Sequence, residues 1–213
     1  RGTGTLTIEA KASGQGYRIG SAGQSTFGRD FSVNGSTGFL ELGMGDLSAL
    51  RDGFSQITIG RAGTTALMAI GDVDDIQVGD FNFNAKLTDT ARFYADWFKV
   101  MGDVRATQPL SFNGRLMEVQ RSNERTGLLQ SGVRSPSTSI VLTEQLSVSG
   151  WIYGDDAVNV QVTASSPTGG LSRYDTGPNS VRLDKGAEIL TFNPSSTISI
   201  TASASVYSGG NIQ

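Results

Sequence analysis

The sequence predicts an all-β chain, with a right-handed β-helix as the leading architecture and a β-sandwich or jelly roll as the alternative. Three observations carry this reading. Apolar and polar residues alternate with period two in short runs, from Leu6-Thr7-Ile8 to Ile198-Ser199-Ile200. Many of these runs pass directly into glycine or asparagine, as in Ile57-Thr58-Ile59-Gly60, Ile76-Gln77-Val78-Gly79 and Leu110-Ser111-Phe112-Asn113-Gly114. Glycine itself supplies 28 of the 213 residues, roughly twice its usual share.

In order along the chain, the alternation predicts strands at Leu6-Ile8, Phe31-Val33, Phe39-Leu42, Ile57-Ile59, Ile76-Val78, Phe81-Phe83, Phe98-Val100, Leu116-Val119, Ile140-Leu142, Leu146-Val148, Val158-Val162, Val181-Leu183 and Ile198-Ile200. One short helix is predicted near 46–52: Asp46 can cap it, Leu47 and Leu50 share a face, and Gly53 suits the position just past its end. In a coiled chain each run, including Leu190-Thr191-Phe192 before Asn193, supplies two inward apolar side chains. The residue that follows takes the sharply turned backbone of a corner. Coils stack about 4.8 Å apart, and a corner asparagine can bond to the corner above.

The spacing from Gly60 to Gly79 is 19 residues and from Gly79 to Gly102 is 23, which fits one coil each. From Asn84 to Asn113 it is 29 and from Asn113 to Ser149 it is 36, so a β-helix needs insertions and the sandwich alternative stays open. The chain reads as a single β-rich domain over 1–213. The polar, turn-rich stretch 121–139 is a possible break, giving 1–120 and 140–213.

Composition removes much chemistry. With no histidine and no cysteine there is no Ser-His-Asp or Cys-His pair, no thiol nucleophile, no disulfide, and no His- or thiolate-bound metal. A formal net charge of -3 with scattered basic residues argues against nucleic acid as a partner. No apolar run approaches the roughly 18 residues of a membrane span. The first residues, Arg1-Gly2-Thr3-Gly4, and the last, Ser208 to Gln213, read as the ends of a segment cut from a longer precursor.

Candidate site residues fall in two groups. Asp72, Asp74, Asp75 and Asp80 form the densest acidic cluster, an oxygen-only set suited to calcium or to a solvated corner. Tyr94, Trp97, Trp151 and Tyr153 are candidates for contact with a glycan or a protein partner, against a reading as core aromatics. Alternation puts Phe93, Ala95 and Trp97 on one face and Tyr94, Asp96 and Phe98 on the other. Asp155-Asp156 reads as a hairpin turn. Asp74, Asp75, Asp96 and Asp103 with Arg92, Lys99 and Arg105 supply the groups of a polysaccharide-cleaving site, although no spacing forces two of them onto one face.

The stretch from Phe39 to Ala62 resembles a segment recurring in giant secreted bacterial surface proteins of the filamentous-haemagglutinin-like, adhesin type. It carries a leucine-bearing turn, Asp46-Leu47-Ser48-Ala49-Leu50, that leads into Gly53-Phe54-Ser55-Gln56-Ile57-Thr58-Ile59-Gly60-Arg61. Gly63-Thr64-Thr65 departs from that pattern, where an acidic residue and glycines are more usual. The match covers about 25 of the 213 residues. It implies an extracellular or cell-surface β-helical module.

The functional expectation is a non-enzymatic structural or adhesive module of a secreted or surface-displayed bacterial protein. Its partners are other copies of itself or the rest of its precursor, and it can self-assemble head to tail through unguarded edge strands near its ends. It requires no cofactor, with calcium as the one candidate. The alternative is a β-helix that binds or cleaves carbohydrate.

Overall fold

The structure is a computed structural model that describes residues 3–12, 14–20, 38–43, 46–47, 50, 53–71, 87–120, 132–163, 179–203 and 205–213. Its strands are β1 (Thr5–Ile8), β2 (Gly16–Ile19), β3 (Phe39–Leu42), β4 (Gln56–Ile59), β5 (Leu67–Ile70), β6 (Ala91–Tyr94), β7 (Trp97–Val100), β8 (Asp103–Arg105), β9 (Leu110–Val119), β10 (Gly132–Val148), β11 (Trp151–Val162), β12 (Asn179–Leu183), β13 (Glu188–Thr191), β14 (Thr197–Ala202), β15 (Ser205–Ser208) and β16 (Asn211–Ile212). The expected strands at Phe31-Val33, Ile76-Val78 and Phe81-Phe83 lie outside the described residues.

Every pairing among these strands is parallel, and the pairs form three ladders. Ladder A runs β1, β4, β6, the first half of β9, the middle of β10, the second half of β11, and β14. Ladder B runs β3, β2, β5, β7, the second half of β9, the end of β10, β12 and β15. Ladder C runs β8, the start of β10, the start of β11, β13 and β16. From β6 onward the chain visits A, B and C in fixed rotation. Because β9, β10 and β11 pass from one ladder to the next without a break, the strands join into one open sheet. Antiparallel ladders, which a sandwich or jelly roll requires, do not occur among the described residues.

Register sets the core. In ladder A, Ile59, Phe93, Phe112, Ile140 and Val160 fall in one inward row. In ladder B, Met68, Phe98, Met117, Leu146 and Val181 do the same, and in ladder C so do Val104, Val133, Ile152 and Ile189. All of these belong to one buried cluster. Each side chain contributes about 1.5–3 kcal/mol through removal from water. Phe112 joins two ladders, stacked on Phe93 at 5.0 Å and edge-on to Phe98 at 5.6 Å.

Corners behave as expected where a strand meets glycine. Gly60 follows β4 at φ 90°, its N–H donates to the Ile8 carbonyl (2.9 Å), and a Cβ there would sit 2.0 Å from the Tyr94 carbonyl oxygen. Gly71 follows β5 at φ 84° and has room for no side chain against the backbone of Gly102. Both the left-handed φ and the close approach exclude a side chain at these positions.

Several expectations need correction. Asn113 and Gly114 do not end a strand, since β9 runs on through them, and Asn113 donates to its own strand's Ser111 Oγ (2.9 Å) rather than to a neighbouring corner. Asp155 and Asp156 are not a hairpin turn. They are the bend inside β11, two residues opposite the single Pro136 of β10, because parallel strands cannot be joined by a hairpin. The alternation around Phe93 breaks at Ala95-Asp96, where β6 ends and β7 begins. Phe93 and Phe98 therefore both point inward, and Trp97 points outward.

Of the expected helix, Asp46 and Leu47 are helical, Leu47 is buried and Leu50 packs on the core. Gly53 has φ 137°. Asp46 accepts a hydrogen bond from Gly43 N–H (2.9 Å), and residues 48–49 and 51–52 lie outside those described. Of the possible break at 121–139, residues 132–139 belong to β10, which pairs with β9 and β11. No helix among the described residues is long and apolar enough to cross a membrane.

Candidate functional site

The outer faces of the ladders differ in chemistry. Ladder A presents Thr7, Thr58, Arg92, Ser111, Ser139, Asn159 and Ser199 in one continuous row. Parallel spacing brings these side chains about 4.8 Å apart, and Arg92 is the single charge among them. Ladder B presents Glu41, Arg18, Ala69, Lys99, Glu118, Ser147, Arg182 and Tyr207. Ladder C carries an aromatic cluster.

That cluster is built from register. Gly132 of β10 aligns with Trp151 of β11, and Arg134 aligns with Tyr153. The indole of Trp151 lies over the backbone of Gly132 and is 9 % exposed. Tyr153 stacks on Trp151, with centroids 4.6 Å apart and planes at 24°. Phe192, just past the end of β13, meets Tyr153 edge-on at 5.3 Å, and its ring is capped by the Arg134 guanidinium at 4.8 Å. Arg134 is also paired with Asp155 (3.1 Å). The Tyr153 hydroxyl donates to the Glu188 carboxylate. Burial, followed by that hydrogen bond, pushes the Tyr153 phenol up to about 12.

A second polar group lies on ladder B. Lys99 faces Glu118 at 4.0 Å and sits over the Trp97 ring at 4.8 Å. Burial lowers the Lys99 ammonium and raises the Glu118 carboxyl from their ordinary ranges. Glu118 Oε2 and Trp97 Nε1 are buried without a hydrogen-bond partner. At the bend between ladders A and B, Arg115 is bidentate to Asp96 (2.9 Å for each bond) and also bonds Glu144 (2.8 Å). Those bonds hold the Arg115 guanidinium above its ordinary range, the Asp96 hydrogen bonds most of all.

Among the residues singled out in the sequence, Trp151 and Tyr153 are in direct contact. Tyr94 lies on ladder A, next to Asn113, and Trp97 lies on ladder B. Asp72, Asp74, Asp75 and Asp80, the calcium candidates, lie outside the described residues. Among the described residues no group of three or more acidic side chains is gathered around a common point. Asp89 is buried and accepts a hydrogen bond from Gly53 N–H (3.2 Å). Asp96 serves Arg115, and Arg61 pairs with Glu9 (2.9 Å).

Sequence reasoning missed Phe192, Arg134 and Glu188. Alternation set Leu190 and Phe192 inward, whereas Ile189 takes the inward row with Ile152 and Ile212. That one-residue slip turns Phe192 out to solvent, 54 % exposed. The signal lay in Ala187-Glu188-Ile189, where a charged residue opens the strand one position before its core residue. No protein-family model, no curated protein and no solved structure matches this chain.

Proposed function

We propose that the chain is a β-helical structural module of a secreted or surface-displayed bacterial protein, acting as a rigid scaffold that presents an adhesive face and stacks end to end. The observation that carries this reading is the rotation through ladders A, B and C, each strand in register with the one a circuit away. Backbone bonding along such ladders resists bending, and the outer rows of side chains face away from the core.

The edges support end-to-end stacking. β1 and β14 lie at opposite edges of ladder A, and β3 and β15 lie at opposite edges of ladder B, all with the same polarity. Val206 and Ile212 continue inward core rows and are 46 % and 41 % exposed. A second copy, or an adjoining stretch of a longer polypeptide, continues the Val206 row of ladder B with Leu40 and the Ile200 row of ladder A with Ile8, and Leu40, Ile200 and Ile8 are only partly buried.

Because the chain has no native cysteine, disulfide trapping tests this directly. Ser139→Cys with Asn159→Cys, adjacent on the outer row of ladder A, is expected to form an intrachain bridge, since neighbouring parallel strands bring Cα atoms within the ~4.4–6.8 Å a disulfide needs. Thr7→Cys with Ser199→Cys is expected to give a ladder of covalent oligomers on oxidation. Absence of the first bridge overturns the scaffold reading, and absence of the oligomers with the bridge intact overturns stacking alone.

A further inference from the structure

We propose that the aromatic cluster on ladder C is a binding site for neutral pyranose polysaccharide, with Phe192 as its stacking surface. The inference rests on the reading of the chain as a surface-presenting module and names what one of its faces holds.

The chemistry follows from what each group has left to offer. Trp151 is spent on covering Gly132, and Tyr153 is held between Trp151 and the Glu188 carboxylate. Together they fix the ring that remains open. Phe192 is 54 % exposed, with the Arg134 guanidinium over its ring and the Tyr153 ring perpendicular to it. Its position is therefore set before any ligand arrives, which lowers the ordering cost of binding.

Beside it, the Arg134 and Asp155 side chains are 45 % and 46 % exposed. They offer a fork of donors and a pair of acceptors next to an apolar ring. A pyranose has the matching form, with an apolar C–H face and a hydroxyl edge. One guanidinium against two carboxylates, Asp155 and Glu188, leaves the patch net negative. That charge disfavours uronic or sulfated chains and selects neutral ones. A protein partner covers about 800 Å² on each side around an apolar centre, whereas the open apolar surface of this cluster is one ring bordered by charge.

Affinity electrophoresis of the full chain through gels cast with dextran, mixed-linkage β-glucan, galactomannan or polygalacturonate tests the assignment. Retardation is expected in at least one neutral gel. Phe192→Ala is expected to weaken it about tenfold, with the thermal melt unchanged because the ring is exposed. Phe192→Tyr should restore it, and Asp155→Asn should reduce it.

Three outcomes overturn the proposal: no retardation in any neutral gel, retardation insensitive to Phe192→Ala, or retardation by polygalacturonate alone. Capture of a peptide through Phe192 without glycan retardation assigns the patch to a protein instead. The disulfide test above reports separately, so a chain that forms the Ser139 to Asn159 bridge but ignores every gel loses this inference and keeps its scaffold role.

Discussion

Trp151 lies flat over Gly132, its register partner on the adjacent strand, so closely that a methyl group on Gly132 would sit 2.1 Å from the indole Cδ2. The same relation recurs on ladder B, where Phe39 covers its partner Gly16 and the Arg18 guanidinium rests 4.2 Å from the Phe39 centroid. An aromatic ring laid over a glycine shields bare backbone that would otherwise face water.

Gly132→Ala should destabilise the chain by about 1–3 kcal/mol, since a buried indole has nowhere to move. Gly16→Ala should cost less. The nearest Phe39 atoms are the end of a half-buried ring that can swing outward, at 2.5 Å from the added Cβ. Denaturant midpoints for the two variants decide the order, and a larger loss at Gly16 would contradict this account.

The raised phenol of Tyr153 makes a pH prediction whose sign is fixed. With the folded value pushed to about 12 from an ordinary 10.0, the folded chain keeps a proton that the unfolded chain releases. The associated stability is complete below about pH 10 and is lost as pH rises from about 10 to 12. Tyr153→Phe removes that part of the alkaline decline, measured as the difference between wild-type and variant unfolding free energies at pH 9 and 11.5. Glu188→Gln should remove only a portion of it, because burial is the larger cause.

Lys99 and Glu118 are both partly withdrawn from water, and burial shifts each toward its neutral form. Lys99→Met alone leaves a buried carboxylate and should cost about 3 kcal/mol near neutral pH. The loss should shrink as the pH falls into the raised carboxyl range, where the folded state holds the extra proton. Lys99→Met combined with Glu118→Leu should return stability to wild type or above it. A double variant less stable than wild type would show that the pair is net stabilising.

Arg115 ties Asp96 and Glu144 across successive strands of the bend. Its removal takes the shared cation away from both carboxylates. Arg115→Met should cost about 1–2 kcal/mol, with the loss reduced in ~1 M salt. Arg115→Lys should recover less than half, since an ammonium cannot bond Asp96 through two parallel donors. Full recovery by lysine would reduce the contact to simple charge.

What was legible in the sequence follows from which forces are local. Ile57-Thr58-Ile59-Gly60 declares a strand and its corner because alternation and a left-handed glycine are properties of neighbouring residues. Leu67–Ile70 gives no such sign, since all four side chains are buried and the pattern does not alternate. The inward position of Ile189 and the outward turn of Phe192 depend on Ile152, which lies 37 residues earlier in the sequence. Trp151 and Tyr153 stand out in the sequence by residue type, but the seating of Trp151 over Gly132 and the stacking of Tyr153 on it follow from the register of β10 and β11. No local rule supplies that register.

Each strand in the described structure bonds only to strands at the adjacent levels of its own ladder. Such a molecule has no keystone. Removal of one level leaves every remaining strand with a parallel neighbour of the same kind, so the number of levels is set separately from the packing within each.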